Sequence, residues 1–95
     1  MTVAYNAQGF TLGEKQSAMI ESKLKRIAYA EDHIVDLKII VKHENDFDIE
    51  CTVNFKWGTQ AHVSEQDKDF AACLNKLMDV LDNKVKKEKD KVQER

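Results

Sequence analysis

The sequence predicts an α+β fold, a two-layer β-α-β-β-β-α domain in which a four-stranded sheet carries two helices on one face. Three observations support this prediction. Residues 35–42 and 47–57 alternate apolar and polar side chains, as half-buried strands do. Residues 67–95 repeat apolar side chains at helical spacing, which predicts a long helix with one buried stripe. A second helical stripe lies at 14–28, so that one helix connects the first two strands.

The N-terminal third of the chain predicts one strand and one helix. Residues 2–8 alternate in polarity and form a short strand, which Gly9 ends. Gly13 is an acceptable N-cap for a helix over 14–28, and a connection follows at 30–32. The apolar stripe of this helix consists of Ile20, Leu24 and Ile27, with Ala28 beside it.

Three more strands and a second helix complete the predicted domain. The strands at 35–42 and 47–57 should pair as a hairpin, and a shorter strand at 59–64 follows Gly58. A helical crossover allows the first two strands to be parallel, whereas the others should be antiparallel. Asp67 is the predicted N-cap of the last helix. The core is expected to contain Val35, Leu37, Ile39, Val41, Phe47, Ile49, Cys51, Val53, Phe55, Trp57, Ala61, Val63, Phe70, Leu74, Leu77, Met78, Leu81 and Val85.

Charge is distributed unevenly along this single domain, predicted to span residues 1–95. The net charge is −2, but residues 84–95, the basic helix end, hold six Lys and Arg against three Asp and Glu. Such asymmetry favours an oriented surface for an anionic partner. No apolar run approaches the roughly 20 residues of a membrane span, and the N-terminus shows no signal-peptide pattern. We therefore expect a cytoplasmic protein with no membrane partner.

The residue types that could support catalysis do not form a recognisable site. His33, His43 and His62 show no metal-ligand spacing. His62, Ser64 and Asp67 are the residue types of a catalytic triad, but no nucleophile turn or oxyanion loop accompanies them. The glycines form no phosphate-binding loop. The sequence thus predicts no enzyme, no metal and no cofactor, and it predicts that Cys51 and Cys73 are buried free thiols.

The lysines of the last helix are more informative. At about 100° per residue, four of them fall within one narrow arc beside the buried stripe. These four are Lys76, Lys84, Lys87 and Lys91. A row of this kind can follow phosphates without reading bases. The simpler alternative is a solvated helix end, and composition does not choose between RNA, DNA and an acidic protein.

Several segments resemble the ribosome hibernation-promoting factors, a family that includes the ribosome-associated translation inhibitors and is also labelled sigma-54 modulation protein. The similar segments are His62-Val63-Ser64, the run DFAACLNKLMD at 69–79, KEKDK at 87–91 and SKLKRI at 22–27. The resemblance covers essentially the whole chain and fits the short members of the family. The chain departs from the family pattern at Val80 and Asn83, where basic residues are common, and at Ala71, where an aromatic residue is usual.

This resemblance implies a fold related to double-stranded-RNA-binding domains. It also implies a ribosome-associated translation silencer that occupies the mRNA and tRNA channel of the small ribosomal subunit during stress or stationary phase and promotes hibernation. The expected partner is rRNA rather than DNA, and the free protein is expected to be a monomer. The expected rRNA contacts are Lys23, Lys25, Arg26, Lys76, Lys84, Lys87, Lys89 and Lys91. The alternative is a protein-interaction module that regulates transcription or another partner through its sheet edge or acidic face.

Overall fold

A computed structural model describes residues 1–93 and confirms the predicted α+β fold and the β-α-β-β-β-α order. Arg95, which was counted in the basic helix end, lies outside the described residues. The strands are β1 (Thr2–Gln8), β2 (Ile34–His43), β3 (Phe47–Phe55) and β4 (Gln60–Asp67). The helices are α1 (Glu14–Leu24) and α2 (Phe70–Gln93), and a 3₁₀ segment (Lys25–His33) follows α1.

The four strands form one mixed sheet in the order β1-β2-β3-β4. β1 is parallel to β2, and the other two pairs are antiparallel, as predicted. The register places Ile39 opposite Cys51 and Cys51 opposite Val63. Because paired residues share a face, the apolar side chains of β2, β3 and β4 form one continuous surface.

The core lies between that surface and the helices. α2 packs on β3 and β4, while α1 and the 3₁₀ segment lie beside α2. The predicted stripe of α2 is buried, and Cys73 is buried with it. Within residues 1–91, for which burial is described, the buried side chains are all apolar. The hydrophobic effect on this one apolar layer therefore holds the sheet and the helices together.

β2 contains an irregularity, and because of it the prediction that Val35 belongs to the core is wrong. Val35 is 50% exposed, whereas Ile34 is fully buried. Ile34 lies opposite Phe55, but Asp36 lies opposite Asn54, so Val35 is an extra residue between two consecutive positions of β3. Such a β-bulge reverses the alternation of the strand. The buried face of β2 consequently begins at Ile34 and resumes at Leu37.

The first helix is shorter than the sequence predicted. The α-helix ends at Leu24, and the chain continues as the 3₁₀ segment through the residues expected to be helix end and connection. A 3₁₀ helix has three residues per turn, so its buried positions recur every third residue. Leu24, Ile27 and Ala30 follow this spacing and are buried, whereas Ala28 is exposed.

The start of α2 differs from the prediction in its capping residue. The Asp69 carboxylate accepts a hydrogen bond from the Ala72 backbone N–H at 3.0 Å, which is the N-cap interaction. Asp67 instead ends β4, where its carboxylate accepts the Asp69 N–H at 3.0 Å. β4 is accordingly longer than the predicted strand at 59–64.

The aromatic end of β3 also differs from the predicted strand. The strand stops at Phe55, where the Gly58 N–H donates to the Phe55 carbonyl at 3.0 Å and Gly58 adopts a φ of 92°. Trp57 therefore lies in the turn and is half-buried rather than part of the core. Its ring stacks on Phe55 with centroids 4.9 Å apart.

Candidate nucleic-acid interface

One flank of α2 carries the four lysines Lys76, Lys84, Lys87 and Lys91, hereafter the lysine row. This flank lies on the side of β4, because Lys76 Nζ is 2.6 Å from the Asp67 carboxylate and the Thr59 hydroxyl is 3.4 Å from the Glu88 carboxylate. Helical geometry brings the lysines to one side, and burial of the adjacent apolar stripe directs them toward solvent.

The middle of the lysine row borders a shallow depression of about 300 Å³. Its lining residues are Val80, Asn83, Lys84 and Lys87. Val80 and Asn83, the two positions where basic residues are common in the family, therefore lie directly between lysines of the row. Val80 is 40% exposed, so its side chain adds little to the core.

Acidic neighbours partly neutralise the lysine row. Glu88, only 13% exposed, lies 3.9 Å from Lys84 and 3.6 Å from Lys91. Among the described residues, Lys87 makes no ion pair. Glu88 therefore competes with incoming phosphate groups for Lys84 and Lys91, whereas the charge of Lys87 is more available to them.

Lys76, at the start of the row, has the shortest of these pairs. Its hydrogen bond and charge interaction with Asp67 raise the pKa of Lys76. Hydrogen bonds from the Asp69 backbone and from Lys76 lower the pKa of Asp67. Both groups are consequently charged at neutral pH, and Lys76 is the row member most committed to a partner within the protein.

The opposite flank of α2 is tied to the 3₁₀ segment by Arg26, Tyr29, Asp79 and Asp82, hereafter the clasp. The Arg26 guanidinium lies 2.9 Å from the Asp79 carboxylate and 3.6 Å from that of Asp82. The Tyr29 hydroxyl donates to the Asp82 carboxylate at 2.6 Å. Two of these contacts, Arg26 with Asp79 and Tyr29 with Asp82, join residues 53 positions apart in the sequence.

The clasp changes the ionisation of its members. The Tyr29 hydrogen bond and the charges of Lys86 and Arg26 lower the pKa of Asp82. Burial and the hydrogen bond to Asp82 raise the pKa of Tyr29 above its ordinary range. The Lys89 ammonium lies 5.6 Å from the centre of the Tyr29 ring, within range of a cation–π interaction.

Residues 3–93 match a sequence family described as Sigma 54 modulation protein / S30EA ribosomal protein. The chain belongs to this family. That assignment confirms the family resemblance seen in the sequence, and the family description names no enzyme. No curated protein sequence gives a significant match to the chain.

Two solved structures are similar to this family member in fold. One is a ribosomal subunit interface protein from Coxiella burnetii, with a TM-score of 0.86, 22% identity and coverage of 95% of this chain and 99% of the other. The second is the N-terminal domain of Thermus thermophilus Protein Y, with a TM-score of 0.80, 22% identity and coverage of 92% and 98%. At this identity the likeness establishes the fold alone.

The structure of this S30EA-family chain does not join the eight expected rRNA contacts into one strip. The lysine row occupies one flank of α2, and Arg26 and Lys89 lie at the clasp on the other. Lys23 is half-buried near the end of α1, and Lys25 is exposed at the start of the 3₁₀ segment. The assignment of these residues to rRNA remains a prediction, to which the lysine row is best suited by exposure and alignment.

Sequence reasoning missed the clasp. Tyr29 lies between the predicted helix at 14–28 and the predicted connection at 30–32, and the sequence predicted no role for Asp82. The spacing of Asp79 and Asp82 places them on one side of α2, which is the one local signal available. Their partners could be identified only once the 3₁₀ segment was seen to lie against that side.

The remaining candidate groups are separated from one another. His62 Nδ1 lies 3.0 Å from the Thr52 hydroxyl, while His43 stacks on Phe47 with centroids 4.0 Å apart. Within the described part of the chain, no cluster of His, Cys, Asp or Glu has the arrangement of a metal site, and no helix has the length and apolarity needed to cross a membrane. Cys51 and Cys73 are buried free thiols, as predicted, and burial raises the pKa of Cys51 to about 12.

Proposed function

We propose that this chain is a ribosome-associated translation silencer of the cytoplasm. It binds the small ribosomal subunit in the mRNA and tRNA channel during stress or stationary phase and promotes hibernation. Its whole length acts as a single ribosome-binding domain, and it silences by occupying space rather than by catalysis. The chain belongs to a family whose description names a ribosomal protein, and this membership supports the proposal.

The observation that carries the proposal is the exposed lysine row. α2 has 24 residues and is therefore about 36 Å long, so that one flank can follow several phosphates. Lysine ammonium groups bind phosphates as point charges and displace condensed counterions. Such contacts position a protein on folded RNA without reading its sequence. A compact domain held in this way would block the channel for mRNA and tRNA.

Co-sedimentation with small ribosomal subunits at two salt concentrations tests this function. Wild-type binding should weaken steeply as salt rises, because each displaced counterion contributes to the salt dependence. Lys87→Glu combined with Lys91→Glu should abolish co-sedimentation and leave the circular dichroism spectrum unchanged, since both side chains are exposed.

The matched control reverses two other exposed lysines. Lys15→Glu with Lys38→Glu makes the same change in net charge, but Lys15 is in α1 and Lys38 is on the helix-free face of the sheet. This control should bind nearly as well as the wild type. Equal losses in both double variants would indicate a general charge effect. Normal binding by the Lys87 and Lys91 variant would show that the row is only solvated and would contradict the proposed interface.

A further inference from the structure

The outer edge of β1 lacks the features that protect edge strands from pairing. β1 is one edge of the sheet and pairs only with β2. All seven of its residues are uncharged, none is proline, and its register with β2 is continuous. Exposed edges usually carry charges, proline or a bulge, because a bare edge is a template for another strand.

The opposite edge of the sheet is protected in the expected way. β4 contains Glu65 and Asp67, and the Lys76 side chain from α2 reaches Asp67 at 2.6 Å. Charged side chains and a neighbouring helix hinder the approach of another strand. The two edges of one sheet therefore differ, and β1 is the edge that can accept a partner.

An apolar groove runs beside β1. It has a volume of about 330 Å³ and separates β1 from α1 and the 3₁₀ segment. Met1 and Val3, each 37% exposed, lie along it together with Leu24 and Ala28. Its charged rim contains both signs and consists of Glu21, Lys25 and Glu31. Apolar side chains and unpaired backbone groups thus lie side by side on one surface.

We infer that this surface pairs with β1 of a second copy of the chain. In an antiparallel pair related by a two-fold axis at Tyr5, Thr2 lies opposite Gln8, Val3 opposite Ala7 and Ala4 opposite Asn6. Every such pair is uncharged, so the strand is complementary to itself. The mixed rim allows Lys25 of each copy to approach a glutamate of the other.

The resulting dimer contains a continuous eight-stranded sheet with the helices of both copies on one face. A pairing of two seven-residue strands and one shallow groove is small compared with the roughly 800 Å² per partner of a stable interface. The dimer is therefore weak and depends on protein concentration. Dilute protein remains the monomer that the sequence predicts, whereas concentrated protein associates.

Sedimentation velocity over a wide range of protein concentration tests this inference without ribosomes. Failure of the proposed function would therefore not affect the result. Ala4 is exposed on the helix-free face, and Ala4→Lys places two lysines diagonally across the two-fold axis. Wild-type protein should show a monomer–dimer equilibrium, and Ala4→Lys should lose the dimer.

Ser64→Lys is the matched control, because it adds the same charge to an exposed position on the same face of the opposite edge strand. It should dimerise as the wild type does. A wild-type protein that stays monomeric at every concentration would overturn the inference. So would a dimer that survives Ala4→Lys, or one that Ser64→Lys removes equally, since either result would assign association to another surface or to charge alone.

Discussion

At Val35, one extra residue in β2 decides which side chains of that strand reach the core. Ile34 and Val35 are both β-branched and adjacent, yet the first is fully buried and the second is 50% exposed. Local sequence preferences do not distinguish them, because both suit a strand. The bulge, defined by the pairing of Ile34 and Asp36 with consecutive residues of β3, makes the distinction.

Truncation of these two neighbours should therefore have very different effects. Ile34→Ala should lower the free energy of unfolding by about 2–5 kcal/mol, because it leaves a cavity among buried side chains. Val35→Ala should change it by about 0.5 kcal/mol, as is usual for exposed positions. Chemical denaturation of both variants measures the difference. Similar midpoints would contradict the bulge and restore the uninterrupted alternation.

At the scale of elements, the clasp attaches the 3₁₀ segment to α2 through charged side chains. Asp82 is central to it, since it accepts the Tyr29 hydroxyl at 2.6 Å and lies 3.4 Å from Lys86 and 3.6 Å from Arg26. The side chain of Asp82 is 14% exposed, so water only partly screens its charge interactions with these partners. Arg26 thus forms ion pairs within the protein, whereas the lysine row faces solvent.

The clasp should make the free energy of unfolding depend on pH. Because the pKa of Asp82 is lowered in the folded state, its contribution is complete above the ordinary Asp pKa of about 3.9 and is lost as pH falls through the folded value. Asp82→Asn retains an acceptor for Tyr29 but removes the charge. The variant should be less stable than the wild type at neutral pH, and the two stabilities should converge at low pH.

Urea denaturation at several pH values measures this convergence. Asp32→Asn is the control, because Asp32 is exposed in the same 3₁₀ segment and makes no ion pair among residues 1–93. The control should differ little from the wild type throughout. A parallel offset of the Asp82→Asn curve at every pH would show that its charge interactions do not supply the stabilisation.

At the scale of the whole molecule, charge is segregated along the chain and across α2. Residues 84–95 are net basic although the protein carries a net charge of −2. The row faces the β4 side, and the clasp faces the 3₁₀ segment. A partner with many phosphates should therefore meet this molecule in one orientation, because electrostatic steering acts on the whole charge distribution.

Restoring basic residues within the row should strengthen ribosome binding. Val80 and Asn83 are exposed beside Lys84 and Lys87, so Val80→Lys with Asn83→Arg adds two cations without disturbing the core. Each new phosphate contact should steepen the salt dependence by about one unit. Titration of small ribosomal subunits at two salt concentrations, with cell-free translation as a second readout, measures the effect.

The control for this gain adds the same charges elsewhere. Asn6→Arg with Ser64→Lys places them at exposed positions on the helix-free face of the sheet. Tighter binding by the row variant alone would support contact between this flank and rRNA. Unchanged affinity and salt slope in the row variant would show that the flank does not face the ribosome.

The sequence by itself determined the features that depend on local periodicity. Alternation over 47–55 and the stripe of α2 predicted the elements, their buried faces and the order of the fold, because burial of one face requires those spacings. The same helical spacing predicted that Lys84 and Lys87 lie on one flank, and in the structure both line one depression.

Only the tertiary structure decided the features that depend on how elements meet. The bulge at Val35 arises from pairing with β3. The 3₁₀ conformation from Lys25 to His33 depends on tertiary packing, because it places both Ile27 and Ala30 in the core. Arg26 was an expected rRNA contact, but packing of the 3₁₀ segment on α2 places its guanidinium 2.9 Å from the Asp79 carboxylate. Such contacts join residues distant in sequence, whereas periodicity reports only on near neighbours.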